Sequence, residues 1–262
     1  MKLRAQATLF HLVGTALVAV IAGWLVFRLW YPPPLSLLAG GATLFMLLVV
    51  VDLVLGPLLT AVVANPQKRR DELWRDIGVI VTLQVAALAY GLHTVAAARP
   101  AVLAFEVDLF RLVSANDVEH EQLRQAPAAL QTLSWSEPRT LAAVKPASEQ
   151  EQYETIQLGL AGIHLAALPR YWRDYASEQA KAWAKATPLN AAGMPAAEHQ
   201  ADIQRAASAA GVAVDQLRTL PLLARHAEGT VLLAPPNARI VGLLSVPMPI
   251  PVPLPPTAPL PP

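Results

Sequence analysis

The chain has 262 residues, 54% hydrophobic and 15% charged, and its 20 Lys+Arg against 19 Asp+Glu leave a formal net charge of +1. A balance that close to zero excludes the broad basic field of a nucleic-acid binder and the acidic field of a protein that collects cations. Cysteine is absent, which excludes disulfides, thiolate catalysis and Cys-ligated metals and leaves the redox compartment open.

The apolar residues are unevenly distributed. Leu9–Trp30, Leu37–Ala64 and Ile77–Ala98 are long runs almost free of charge, and each reaches the roughly 20 residues that a helix needs to cross a hydrocarbon core about 30 Å thick. The expected architecture is a three-helix transmembrane domain over 1–99, a small extracytoplasmic α+β domain over 100–246, and a proline-rich disordered tail over 247–262. Lys2 and Arg4 precede the first run, and Lys68, Arg69, Arg70 and Arg75 fill the link between the second and third, whereas Tyr31-Pro32-Pro33-Pro34 carries no charge. The positive-inside rule then puts the N-terminus and the second link in the cytoplasm, and the chain after Arg99 outside it. Arg28 is the contrary charge, placed to snorkel beside Trp24, Trp30 and Tyr31. The first run is too long for a signal peptide and lacks a small-x-small cleavage site, so it is expected to stay as an anchor.

Asp52 stands in the middle of the second run. An ionised carboxylate is costly there, so it must be protonated, paired or set against another helix. Gln84 in the third run lies at a similar depth, and an Asp52–Gln84 hydrogen bond gluing two helices is the expected role. Gly56-Pro57 follows, and because Pro57 has no amide proton the Leu53 carbonyl loses its partner and a kink is expected. His11 and His93 fall near opposite ends of their runs, so they cannot share a metal and are read as interfacial. Tyr90-Gly91 marks a close helix contact.

Beyond Arg99-Pro100 the pattern changes. Ala101–Asp108 and Leu109–Val113 read as a strand or bent strand pair. Ser114 or Asn116 would cap a short helix over Asp117–Gln125, and Leu130–Trp135 and Thr140–Val144 are short strands. Glu149–Leu160 and Tyr171–Ala186 have helical composition, and the aromatics of the second are read as a packing stripe. Ala196–Ala210 is a helix ended by Gly211, Val214–Leu220 a further helical turn, and Gly229–Ala234 with Arg239–Val246 a terminal hairpin. From Pro247 onward nine of sixteen residues are proline, which removes donors and favours an extended polyproline II conformation.

Catalytic signatures are missing: there is no G-x-S-x-G, H-E-x-x-H, G-x-x-x-x-G-K-[ST] or G-x-G-x-x-G. Glu119-His120-Glu121 cannot converge on one substrate atom if helical, and His164, His199 and His226 are separated singles without ligand spacing. No enzyme activity, cofactor or metal is expected.

Taken in order, Trp30-Tyr31-Pro32-Pro33-Pro34, Gly40-Gly41, Val51-Asp52, Gly56-Pro57-Leu58-Leu59-Thr60, the basic link Asn65–Arg70, Tyr90-Gly91, Arg99-Pro100 and Phe105-Glu106-Val107-Asp108 resemble the TfpX/TfpZ family of type IV pilin accessory proteins. The resemblance covers residues 1 to about 115 and departs at Leu109, where the family pattern has arginine. It implies an inner-membrane, non-catalytic factor for type IV pilus biogenesis with a periplasmic domain. Its partners would be the bilayer, the major type IV pilin and other pilus assembly proteins, without nucleic acid. Asp52, Gly56, Pro57, Gln84, Phe105, Glu106 and Asp108 are the structural or partner contacts this reading singles out. Two other classes remain open: a transporter or enzyme subunit using Asp52, and a generic envelope scaffold whose tail recruits a partner.

Overall fold

The computed structural model describes residues 2–63, 69–192 and 198–248. Lys68 of the basic link, the expected start of the helix after 195, and 249–262, most of the expected tail, lie outside the described residues.

Three helices are long and apolar enough to cross a membrane, with spans at Thr8–Trp30, Gly41–Val62 and Trp74–Ala97. They belong to α1 (Lys2–Leu25), α3 (Gly41–Val63) and α4 (Arg70–Ala97), and the short α2 (Leu35–Leu38) lies in the first link. Phe10, Val20, Met46, Val62 and Leu83 are exposed on their surfaces, an arrangement that lipid satisfies and water does not. α3 stands in the middle and packs on both neighbours. A Cβ at Gly91 of α4 would run into Leu48 Cδ1 of α3, so Gly91 is the close helix contact its sequence predicts. α1 widens at its end into a π turn over Val26–Trp30, where the Tyr31 amide donates to the Val26 carbonyl at 2.9 Å.

The rest builds one sheet. β1 (Pro100–Glu106) and β2 (Leu109–Ser114) form a hairpin that turns at Val107-Asp108, with Val107 at φ +63°. β3 (Arg139–Ala143) runs parallel to β1, and β4 (Trp172–Arg173) closes that edge. β6 (Arg218–Leu223) runs parallel to β2, followed by the antiparallel β7 (Glu228–Ala234) and β8 (Arg239–Leu244). The order is β4-β3-β1-β2-β6-β7-β8, and β5 (Thr187–Pro188) pairs beside β6.

Strand alternation sends Leu103, Phe105, Phe110, Leu112, Leu222 and Val231 to one face. There they share a core with Tyr31, Leu35 and Leu38 of the first link and with Val95 and Ala96 of α4. The link is therefore embedded in the sheet domain. The Tyr31 hydroxyl donates to the Val95 carbonyl at 3.0 Å, and the His226 amide donates to the Leu38 carbonyl at 3.3 Å. At Gly40 φ is +73° and a Cβ would strike the His226 ring, so only glycine suits this bend. The opposite face is covered in two parts. Val102, Ala104 and Leu141 lie against Leu165–Leu168 and Trp172, while Leu217, Leu232 and Leu244 lie against α7 (Gln200–Ala210).

Several local expectations change. Asp117–Gln125 is not one helix but two 3-10 turns, Ala115–Asp117 and His120–Gln125, without side-chain caps from Ser114 or Glu119. Leu130–Trp135 is not a strand. Tyr171–Ala186 divides into a turn, β4, a second turn and α6 (Gln179–Lys185), because the Trp172 indole is buried against the sheet and donates to the Ala166 carbonyl at 2.9 Å. Val214–Leu220 is a turn running into β6, a strand disguised by Pro221. α5 (Glu149–Leu160), capped by Ser148, and the β7–β8 hairpin match their predicted positions. Packing continues past Val246: Thr219 donates to Met248 Sδ at 3.2 Å, and Met248 is buried.

Candidate functional site

α1 and α4 diverge on either side of α3 and leave a groove of about 390 Å³. Its floor is Phe45, Leu48, Val49, Asp52 and Thr60 of α3, where 45 with 48 and 49, and 52 with 48 and 49, have the three- and four-residue spacing of one helix face. His11 and Val18 of α1 form one wall, and Ile77, Val81 and Gln84 of α4 form the other. The half toward Ala22 and Leu88 is apolar. The other half carries His11, Asp52, Thr60 and Gln84.

Those four polar side chains are arranged differently from the expectation. Thr60 Oγ1 lies 2.8 Å from His11 Nδ1 and satisfies it across two helices. Gln84 does not bond Asp52. Its amide nitrogen lies over Gly56, where a Cβ would collide with it and would come within 3.0 Å of His11 Nε2. Gly56 thus lets Gln84 and His11 approach α3, and Pro57 is buried beside it within a continuous helix. Asp52 is half-buried at the groove, and among the described residues no group hydrogen-bonds its carboxylate. The sequence missed the His11–Thr60 pair. Its signal was depth: His11 near the start of α1 and Thr60 near the end of α3 fall at the same level in antiparallel helices.

The remaining singled-out residues sit in the sheet domain. Phe105 is buried, tilted against Phe110 at 5.6 Å and edge-on to Tyr175 at 6.5 Å. The Tyr175 hydroxyl donates to the Ala238 carbonyl at 2.8 Å, and burial pushes that phenol's pKa up. Glu106 faces the other way, pairs with Arg111 at 3.2 Å and accepts the Ala166 amide at 3.3 Å. Asp108 is exposed in the hairpin turn. A second cleft, about 510 Å³, opens where β2 and β6 part, lined by Arg111, Asp117, His164 and Arg225. Arg225 holds Asp117 at 3.0 Å. Burial first, then the Arg111 charge, lowers the pKa of His164, against a smaller opposing pull from Glu106. Among the described residues no group of three or more His, Asp or Glu is placed to hold a metal ion.

The arrangement is one of surfaces and grooves. A family model described as Fimbrial assembly protein FimB matches residues 1–40. The chain is 28% identical over 243 residues, 92% of its length and 95% of the relative's, to "Fimbrial assembly protein, serogroup I" of Dichelobacter nodosus. The serogroup E1 protein of the same organism matches to the same extent. The protein of serogroups C1 and C2 is 36% identical over 122 residues, 47% of this chain and 93% of the relative. No solved structure matches at a significant level. The family model covers the first span and its buried link, the longest alignments take in 92% of the chain, and the relative at 36% identity is covered over 93% of its length, so the chain belongs to the fimbrial assembly protein family.

Proposed function

We propose that this chain is a non-catalytic accessory factor of type IV pilus biogenesis, of the TfpX/TfpZ kind, that binds membrane-resident major pilin and modulates its assembly. In this reading it lies in the inner membrane with its N-terminus in the cytoplasm and the sheet domain in the periplasm. The observation that carries it is the extent of the kinship: proteins described as fimbrial assembly proteins align over 92% of the chain, helices and sheet domain together. The packing supports it, since the buried link joins both parts into one body able to meet a pilin in the membrane and above it. Asp52, Gly56, Pro57 and Gln84 would serve the membrane contact, and Phe105, Glu106 and Asp108 the stability or surface of the domain.

The test is co-purification from native membranes of a cell carrying its own major pilin, paired with removal of the gene. Recovery of pilin with the tagged chain, and loss or shortening of pili without it, is expected. Full piliation without the chain would overturn the reading, and Asp52-dependent solute flux in vesicles would replace it with a transporter.

A further inference from the structure

The groove between α1 and α4 has a composition that lipid alone does not satisfy. Its lining on α1 runs from Phe10 to Ala22 and on α4 from Trp74 to Leu88, roughly 18 to 21 Å of helix at 1.5 Å per residue. That is the length of a helix contact and far longer than a headgroup. The apolar half would accept an acyl chain or a helix equally. The polar half would not: Thr60 Oγ1 and His11 Nδ1 bond each other, while the Asp52 carboxylate faces the groove without a hydrogen-bonded donor among the described residues. A carboxylate at that depth is costly unless a hydrogen-bond donor or cation reaches it, and an acyl chain has neither. Gly14, on the α1 wall, has nothing within 4 Å of where a Cβ would sit, so the groove is open space there.

We propose that this groove seats one transmembrane helix of the partner, apolar along the outer half and carrying a hydrogen-bond donor or cation opposite Asp52. The proposal rests on the pilin-binding reading and names its membrane site. The occupant slides in from the lipid between α1 and α4, lies along the Phe45–Asp52 stripe of α3 and supplies the missing donor.

The full chain, which has no cysteine, is expressed with its cognate major pilin, and a photo-crosslinking residue replaces Val18 or Val81 in the groove, or Val20 or Leu83 on the outer faces. Pilin adducts are expected at Val18 and Val81 and not at Val20 or Leu83. Asp52→Asn, which still accepts a hydrogen bond, keeps them, and Asp52→Leu lowers them about fivefold, the affinity equivalent of one interhelical hydrogen bond of about 1 kcal/mol. Gly14→Leu, whose Cβ would enter open space, is expected to remove the groove adducts at unchanged protein level and keeps the test decisive if Asp52→Leu fails to accumulate. Adducts to phospholipid only, adducts to a second copy, equal yields inside and outside the groove, or pilin adducts that survive Gly14→Leu would each overturn the proposal. Pilin captured from a probe at Trp135 of the sheet domain, with none from the groove, would sink the groove and leave pilin binding standing. No pilin from any position would sink both.

Discussion

Tyr31 follows the first span and is fully buried, and its hydroxyl donates to one of the carbonyls that α4 leaves without a helical partner at its C-terminus. Tyr31→Phe keeps the ring and strands the Val95 oxygen, so it is expected to cost about 1 to 2 kcal/mol, read as a lower denaturation midpoint in detergent. The half-buried Glu106–Arg111 pair predicts a larger effect. Glu106→Ala removes the partner of Arg111 and the acceptor of the Ala166 amide, with an expected loss of about 2 to 3 kcal/mol; the double replacement Glu106→Ala with Arg111→Met should recover part of it. His164 gives a pH dependence. Its pKa in the fold lies below the ordinary 6.5, so at pH values between the two the unfolded chain binds more protons and stability rises with pH. Stability should fall as pH drops through 6.5 and level off below the folded value, and His164→Gln should flatten that slope in a urea titration followed across pH. At this scale sequence exposed what one chain segment can carry alone: a charge inside an apolar run marks Asp52. The His11–Thr60 bond and the seat of Gln84 over Gly56 depend on how two helices are rotated toward each other, which no local pattern records.

Among the elements, those with their own punctuation were legible and those fixed by packing were not. Ser148 caps α5, with its hydroxyl accepting the Glu151 amide at 3.2 Å, and Gly211 ends α7 in a left-handed turn at φ +71°, so both are written into the sequence. Trp172 and Pro221 mislead because a bulky aromatic in a helix-like composition and a proline in a strand obey the sheet rather than their propensities. The C-terminal edge yields a prediction that separates two cuts. Removal of 249–262 is expected to leave the protease resistance of the domain unchanged. Removal from Pro247 also takes Met248 from its buried place against Thr219 and should cost about 2 kcal/mol or more. Truncation before Glu228 deletes β7 and β8, bares β6 and the link, and should leave no protease-resistant domain.

For the whole molecule, the charge pattern that sets topology and the core that joins the two halves make one prediction. A phosphatase active only outside the cytoplasm should be active when fused after Val113 and silent at Arg70; activity at Arg70 would overturn the proposed orientation. The buried link has a further consequence, in time. Leu38 is made 193 residues before Val231, the strand residue with which it shares a core. At synthesis rates of about 5 to 20 residues per second, the link waits roughly 10 to 40 s for its cover. During that interval Leu35 and Leu38 lack the strands that later bury them, and any ribosome that stalls before β7 leaves behind an anchored chain marked by this patch. The β7–β8 hairpin therefore takes this short link out of view only when it joins the sheet, long after the link itself has left the ribosome.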